Sequence, residues 1–134
     1  WARQKFINMR KIINTNNSPE PIGPYNQAIL KGKTLFISGQ IALDPKTMSL
    51  KNNSIKEETV QVMENLKNIL LEAKMNFNDV VKTSIFLSDM DNFSEVNKVY
   101  DSYLEIGNEP ARETIAVKTL PMDVNVEISM IAIK

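Results

Sequence analysis

The sequence predicts an α+β domain, one mixed sheet of about six strands with two helices against one face. Three observations carry this reading. Short stretches rich in apolar residues recur at both ends and once in the middle, two longer stretches show helical spacing, and their order is β-β-β, α, β, α, β-β. Two helices cover only one face of such a sheet, and the other carries Val and Ile among polar residues. That face is expected to meet another subunit.

Taken in order, the first residues, "WARQKFINMRK", hold four basic side chains and no acid, without the apolar core of a secretory signal. Residues 1–11 read as a leader or a remnant ahead of a natural start near Met9, and residues 12–134 as one domain. A cleaved organellar sequence is the alternative. "KII" at residues 11–13 is a short apolar strand, and "NTNNSPEPIGP", with three prolines, is a loop. "YNQAIL" and "TLFISGQI" form a hairpin across "KGK", where Gly32 permits the positive φ of a tight turn.

After the loop "ALDPKTMSLKNNS", Ser54 and Glu57 have capping-box spacing, and Val62, Leu66, Ile69 and Ala73 then recur at helical steps. These predict an amphipathic helix of about five turns. "DVVKTSIFL" sets Val81, Thr83, Ile85 and Leu87 on one strand face and Val80, Lys82, Ser84 and Phe86 on the other. Asn92 with Glu95 is placed to cap a second helix, whose Phe93, Val96, Tyr100 and Tyr103 share a face suited to core packing. Gly107 is the expected C-terminal cap, and Pro110 stops continuation. "RETIAVKTL" and "VNVEISMIAIK" then close the chain as two strands across the hairpin-sized "PMD".

Composition narrows the chemistry. The 134 residues fit one domain with a single core, and 43% hydrophobic with 24% charged residues is a globular balance. Sixteen Lys and Arg offset sixteen Asp and Glu, so no net field favours phosphate backbones or anionic membranes. The sequence has no Cys and no His, which excludes disulfides, thiolate zinc sites, cysteine nucleophiles and histidine acid/base schemes. Carboxylates, Lys, Arg, Tyr, Ser, Thr and backbone amides remain. No apolar run approaches the roughly 20 residues of a membrane-spanning helix, and a cytoplasmic protein is expected.

Against this background two charges stand out. Arg112 lies just before one β-like run, and Glu127 lies inside the last. Alternation puts Glu127 with Asn125 and Ser129, away from the side formed by Val124, Val126, Ile128, Met130 and Ala132. It also puts Arg112 and Thr114 on one side and Glu113 on the other. Arg112 suits a two-point grip on a carboxylate. A structural Arg112–Glu127 ion pair across neighbouring strands is the competing reading.

The segments "IGPYNQA", "FISGQIALDP", "PARETIAVKTLP" and "VNVEI", with "VVKTSIFLSDMDNFSEVNKVY" between them, strongly resemble the reactive intermediate deaminase family, the RidA or YjgF-type proteins. The resemblance runs from about residue 12 to residue 133 and rests on several separated motifs in the right order. It implies a chorismate-mutase-like fold, a homotrimer with clefts between subunits, and hydrolysis of 2-iminobutanoate or 2-iminopropanoate to a 2-oxo acid and ammonia, with no cofactor or metal. Residue by residue it implies that Arg112 holds the substrate carboxylate and that Glu127 positions the hydrolytic water. Tyr25, Ser38, Gly39 and Asn97 match pocket positions, and the backbone at Thr114 matches a polar contact near the reacting nitrogen.

Two residues depart from the family pattern. Glu113 stands where many relatives have a small residue, and Thr114 where several have cysteine. Plainer roles also exist: packing for Tyr25, a turn hydroxyl for Ser38, and a helix-surface amide for Asn97. Two other functions compete with the deaminase. One is a ribonuclease or translation inhibitor, an activity also attributed to the family, which the balanced charge and missing histidine disfavour. The other is a non-catalytic sensor that uses the arginine only to hold an acid.

Overall fold

Residues 10–134 are described by the structure, a computed structural model. The natural start expected near Met9, and the leader up to that point, lie outside the described residues. Strand β1 (Arg10–Ile13) pairs antiparallel with β2 (Ala28–Lys31), so Arg10 and Lys11, read with the leader, belong to the sheet. Strand β3 (Thr34–Gln40) turns back on β2 through Gly32, whose φ of 61° is the left-handed value that glycine adopts without a Cβ penalty. Tyr25 precedes β2 in the loop rather than lying in the strand.

Helix α1 (Ile55–Glu72) begins at the expected cap, with Ser54 Oγ accepting from Glu57 N at 3.0 Å. Its Val62, Met63, Leu66, Ile69 and Leu70 are buried on the sheet. Strand β4 (Val80–Leu87) follows, then α2 (Phe93–Ser102), β5 (Ala111–Ala116) and β6 (Val126–Ile133). Asn92 makes no side-chain cap. It ends a short 3₁₀ turn in which Asp89 accepts from Asp91 N at 2.8 Å, so the capping duty falls earlier. Nor does Gly107 cap α2. The helix ends at Ser102 with Tyr103 as its cap, and Gly107, at φ 88°, shapes a later turn in which its N–H donates to Glu109 Oε1.

The sheet order is β1-β2-β3-β6-β4-β5. The last two strands are therefore not a hairpin. β5 lies parallel to β4 on the sheet edge, and the chain then crosses so that β6 fills the centre, antiparallel to both β3 and β4. The apolar density of β6 explains its central place: Val126, Ile128, Met130 and Ala132 are buried under the helices.

In β4 the buried set is Val80, Thr83, Ile85 and Leu87, while Val81 is exposed. The pairing with β6 shifts between Val80 and Lys82, and this irregularity breaks the simple alternation. The face away from the helices shows Ile12, Phe36 and Ile133, with Ile115 on β5, among its exposed apolar residues. A second, smaller cluster of Ile41, Leu43, Leu120 and Val124 packs the two long loops together. No helix among the described residues is long and apolar enough to cross a membrane.

Candidate functional site

Two candidate half-sites lie on different parts of the sheet. At the β5 edge, Arg112 is level with Thr83, a fully buried residue of the helix-covered face, and its side chain reaches α2. Its Nη1 donates to Asn97 Oδ1 at 2.6 Å, and its guanidinium carbon lies 5.2 Å from the Tyr100 ring centroid and 5.6 Å from that of Phe93. Two aromatic faces and an amide oxygen thus hold the fork. Phe93, Asn97 and Tyr100 fall at i, i+4 and i+7, one helix face that the sequence displays.

The aromatics expected as core packing do pack, but two of them also form this seat. Tyr100 donates from its hydroxyl to Thr83 Oγ1 at 3.0 Å, and burial pushes its phenol above the ordinary value. Asn97, Lys98, Asp101, Leu104 and Glu109 line the adjoining cleft with Arg112. Thr114 lies two residues beyond Arg112, and its buried Oγ1 has no hydrogen-bond partner among the described residues. Glu113 turns to the opposite face as alternation predicted. There Lys82 Nζ lies 2.7 Å from Glu113 Oε1 and Ser84 Oγ donates to Oε2, contacts that hold the carboxyl below its ordinary range.

Glu127 belongs to the other half-site. It sits level with Phe86 in β4, against Gly39 of β3. A Cβ at position 39 would come 2.7 Å from Glu127 Oε2 and 2.9 Å from its Cδ, so the glycine makes the slot in which the carboxylate lies. Tyr25, Ile22, Gln40, Leu43 and Pro121 help to line the same pocket. Glu127 has no hydrogen-bond or ion-pair partner among the described residues, and burial raises its carboxyl above the ordinary value.

Loop positions around this half-site are fixed by buried amides that the sequence did not single out. Gln27 Nε2 donates to the carbonyls of Thr15, Ser18 and Pro19, and Asn65 Nδ2 to those of Ile41 and Leu43. Tyr25 is exposed, and its hydroxyl accepts from Ile22 N at 3.2 Å. Ser38 Oγ donates to Asn26 O at 2.6 Å, which makes it a loop clasp at this position.

Arg112 and Glu127 are not an ion pair. β4 separates β5 from β6, and Arg112 aligns through Thr83 with Met130, three residues from Glu127. Standard sheet dimensions then set the two residues about 10 Å apart across the sheet and about 10 Å along it. They also emerge on opposite faces. The neighbouring-strand pair failed because it took adjacency in sequence for adjacency in the sheet.

Among the described residues, no three or more His, Cys, Asp or Glu gather as a metal site. The family model described as Endoribonuclease L-PSP matches residues 15–134. The chain is 43% identical to the mouse 2-iminobutanoate/2-iminopropanoate deaminase over 126 residues, covering 94% of this chain and 93% of the relative. It is 48% identical to a RutC family protein of Pyrococcus horikoshii, covering 94% and 99% of the two chains. The crystal structure of RidA from an Antarctic Psychrobacter superposes with a TM-score of 0.89 at 38% identity, covering 92% and 99%. That of Escherichia coli TdcF with bound serine gives 0.87 at 33%, covering 92% and 98%. The chain belongs to the RidA/YjgF family.

Proposed function

We propose that the protein is a hydrolytic deaminase of small 2-imino acids, converting 2-iminobutanoate or 2-iminopropanoate and water to the 2-oxo acid and ammonia. The observation that carries this is Glu127, a half-buried carboxylate with a raised pKa and no partner among the described residues, lying in a slot that only glycine leaves open. Such a group is costly to keep unless it works on a ligand or water. The mouse relative's name gives the reaction.

The complete site needs two copies of the chain. One contributes Arg112, Asn97 and the Thr114 backbone from its β5 edge; its neighbour contributes Glu127, Gly39 and Tyr25, with Ser38 holding the adjoining loop. A homotrimer closes three such clefts. Arg112, oriented by Asn97, grips the substrate carboxylate and fixes the imine carbon near the water on Glu127. Water attacks that carbon while Glu127 takes its proton and the C=N electron pair moves to nitrogen, which receives the proton. The carbinolamine then expels ammonia as its hydroxyl proton passes to nitrogen and C=O forms. An imine is already electrophilic, so orientation and one base suffice.

Imine generated by a threonine dehydratase should disappear faster in the presence of the protein. Decay at the protein-free rate with micromolar protein present would reject the deaminase. If decay is unchanged but 2-oxobutanoate still binds, the carboxylate sensor becomes the reading. The family model's description favours RNA cleavage as the other alternative, and fragmentation of RNA by the same preparation would support it.

A further inference from the structure

Glu58 is fully buried in the first turns of α1, and neither half-site includes it. Its Oε2 accepts from Asn125 N at 2.7 Å and Val126 N at 2.9 Å, and its Oε1 from Asn125 Nδ2 at 3.0 Å. These donors belong to the two residues immediately before Glu127. From the other side, Ser88 N donates to Asn125 O at 3.0 Å, and Ser88 Oγ to Asn125 Oδ1 at 2.8 Å. The start of β6 is therefore clamped between α1 and the end of β4.

We propose that Glu58 is a positioning residue for Glu127, setting the water-binding carboxylate in its glycine slot through the backbone of residues 125 and 126. The inference rests on the deaminase reading. Its logic is one of tolerance. Glu127 Oε2 lies so close to Gly39 that even a Cβ there would collide at 2.7 Å, so a shift of a few tenths of an ångström at the strand start changes how the carboxylate fits. Glu58 fixes that start from the helix face, while Glu127 emerges one residue later on the opposite face. Its oxygens also satisfy two strand-start N–H groups; without them, buried donors would lack partners and the segment would move to find others.

Two variants separate this role from general support of the fold. Glu58→Met keeps the volume and removes both acceptors, whereas Glu58→Gln keeps an oxygen able to accept from both backbone amides. With assembly verified, the Met variant should lose about tenfold in kcat with KM within about twofold, because Arg112 is seated elsewhere. The Glu127 carboxyl, followed by ¹³C NMR, should titrate about half a pH unit or more from the parent value. The Gln variant should keep both parental values within about twofold in kcat and a few tenths of a pH unit.

Parental kcat and an unmoved Glu127 midpoint in the Met variant would overturn the proposal. So would a tenfold kcat loss in the Gln variant, which still decides the matter if Met does not fold. The titration needs no turnover. An inactive parent would reject the deaminase, while the Glu127 midpoint would still show whether Glu58 positions it.

Discussion

Gly39 leaves the room that Glu127 fills: the carboxylate lies against the place where a side chain on residue 39 would begin, with Oε2 2.7 Å from the ideal Cβ position. Gly39 has no left-handed φ, so the glycine serves space and not backbone strain. Gly39→Ala should therefore displace Glu127 while costing about 1 kcal/mol or less in stability, because the side-chain end can swing aside. Turnover should fall about tenfold or more. In a Glu127→Ala background, the same Gly39→Ala change should cost almost nothing further in either measurement. A full additive loss in the double variant would show that Gly39 acts on something other than Glu127.

Arg112 offers a different separation. Replacing it by Lys keeps the charge but loses the planar fork, its bond to Asn97 and most of its stacking on Phe93 and Tyr100. The side chain is exposed and makes no ion pair among the described residues, so stability should fall by about 1 kcal/mol or less. Losing one charged hydrogen bond to a substrate carboxylate typically costs about 1.5–3 kcal/mol, or about ten- to a hundredfold in kcat/KM. A variant that melts far earlier yet clears imine at the parental rate would make Arg112 scaffolding.

How much of this was legible beforehand differs by kind of residue. The segments around Arg112, Glu127, Tyr25 and Gly39 resemble a known family, so these positions could be named without a structure. Their partition into two half-sites could not be read, because it depends on β6 inserting between β3 and β4 instead of pairing with β5. Strand identity was readable from alternation, but the parity of Val80 and Val81 was not, since one irregular residue reverses which valine is buried. Glu58 and Asn65 do lie on the helix face of Val62 and Ile69, but residue type hid them: a buried polar residue, Gln27 included, looks like a surface one until its partners, here up to 68 residues away, are in place.

The open sheet face predicts assembly. Ile12, Phe36 and Ile133 are about half exposed, and Ile115 extends the apolar surface along a six-residue edge strand with one side unpaired among the described residues. A face of this kind is a liability in a monomer. Sedimentation should give a trimer at micromolar concentration. Adding Asp at Phe36 should dissociate it and abolish turnover together; an active monomer would show that one chain holds a complete site.

Catalysis should not need a metal. The sequence has neither His nor Cys, and hard cations favour clusters of carboxylate and carbonyl oxygens. Turnover should survive exhaustive chelation unchanged. Loss of activity that a divalent ion restores would require a role for the metal that the mechanism above lacks.

Glu127 gives the pH dependence. Burial raises its folded-state pKa above the ordinary 4.5, whereas in the unfolded chain it should titrate near that value. Between the two, the folded state holds more protons than the unfolded one, so stability falls as pH rises through this window and is constant above it. Glu127→Gln removes the penalty. The variant should melt higher than the parent at pH 7, and its advantage should shrink as the pH falls through the folded pKa towards 4.5 and below. In the parent, kcat/KM should rise with pH along a limb whose midpoint lies above the ordinary glutamate value, because the base must be ionised. The Gln variant should lose that limb together with about a hundredfold or more in kcat, at nearly unchanged KM. Parental turnover with an intact limb would remove Glu127 from the chemistry, and a lower melting temperature at pH 7 would show that its carboxylate has a stabilising partner in the assembled protein.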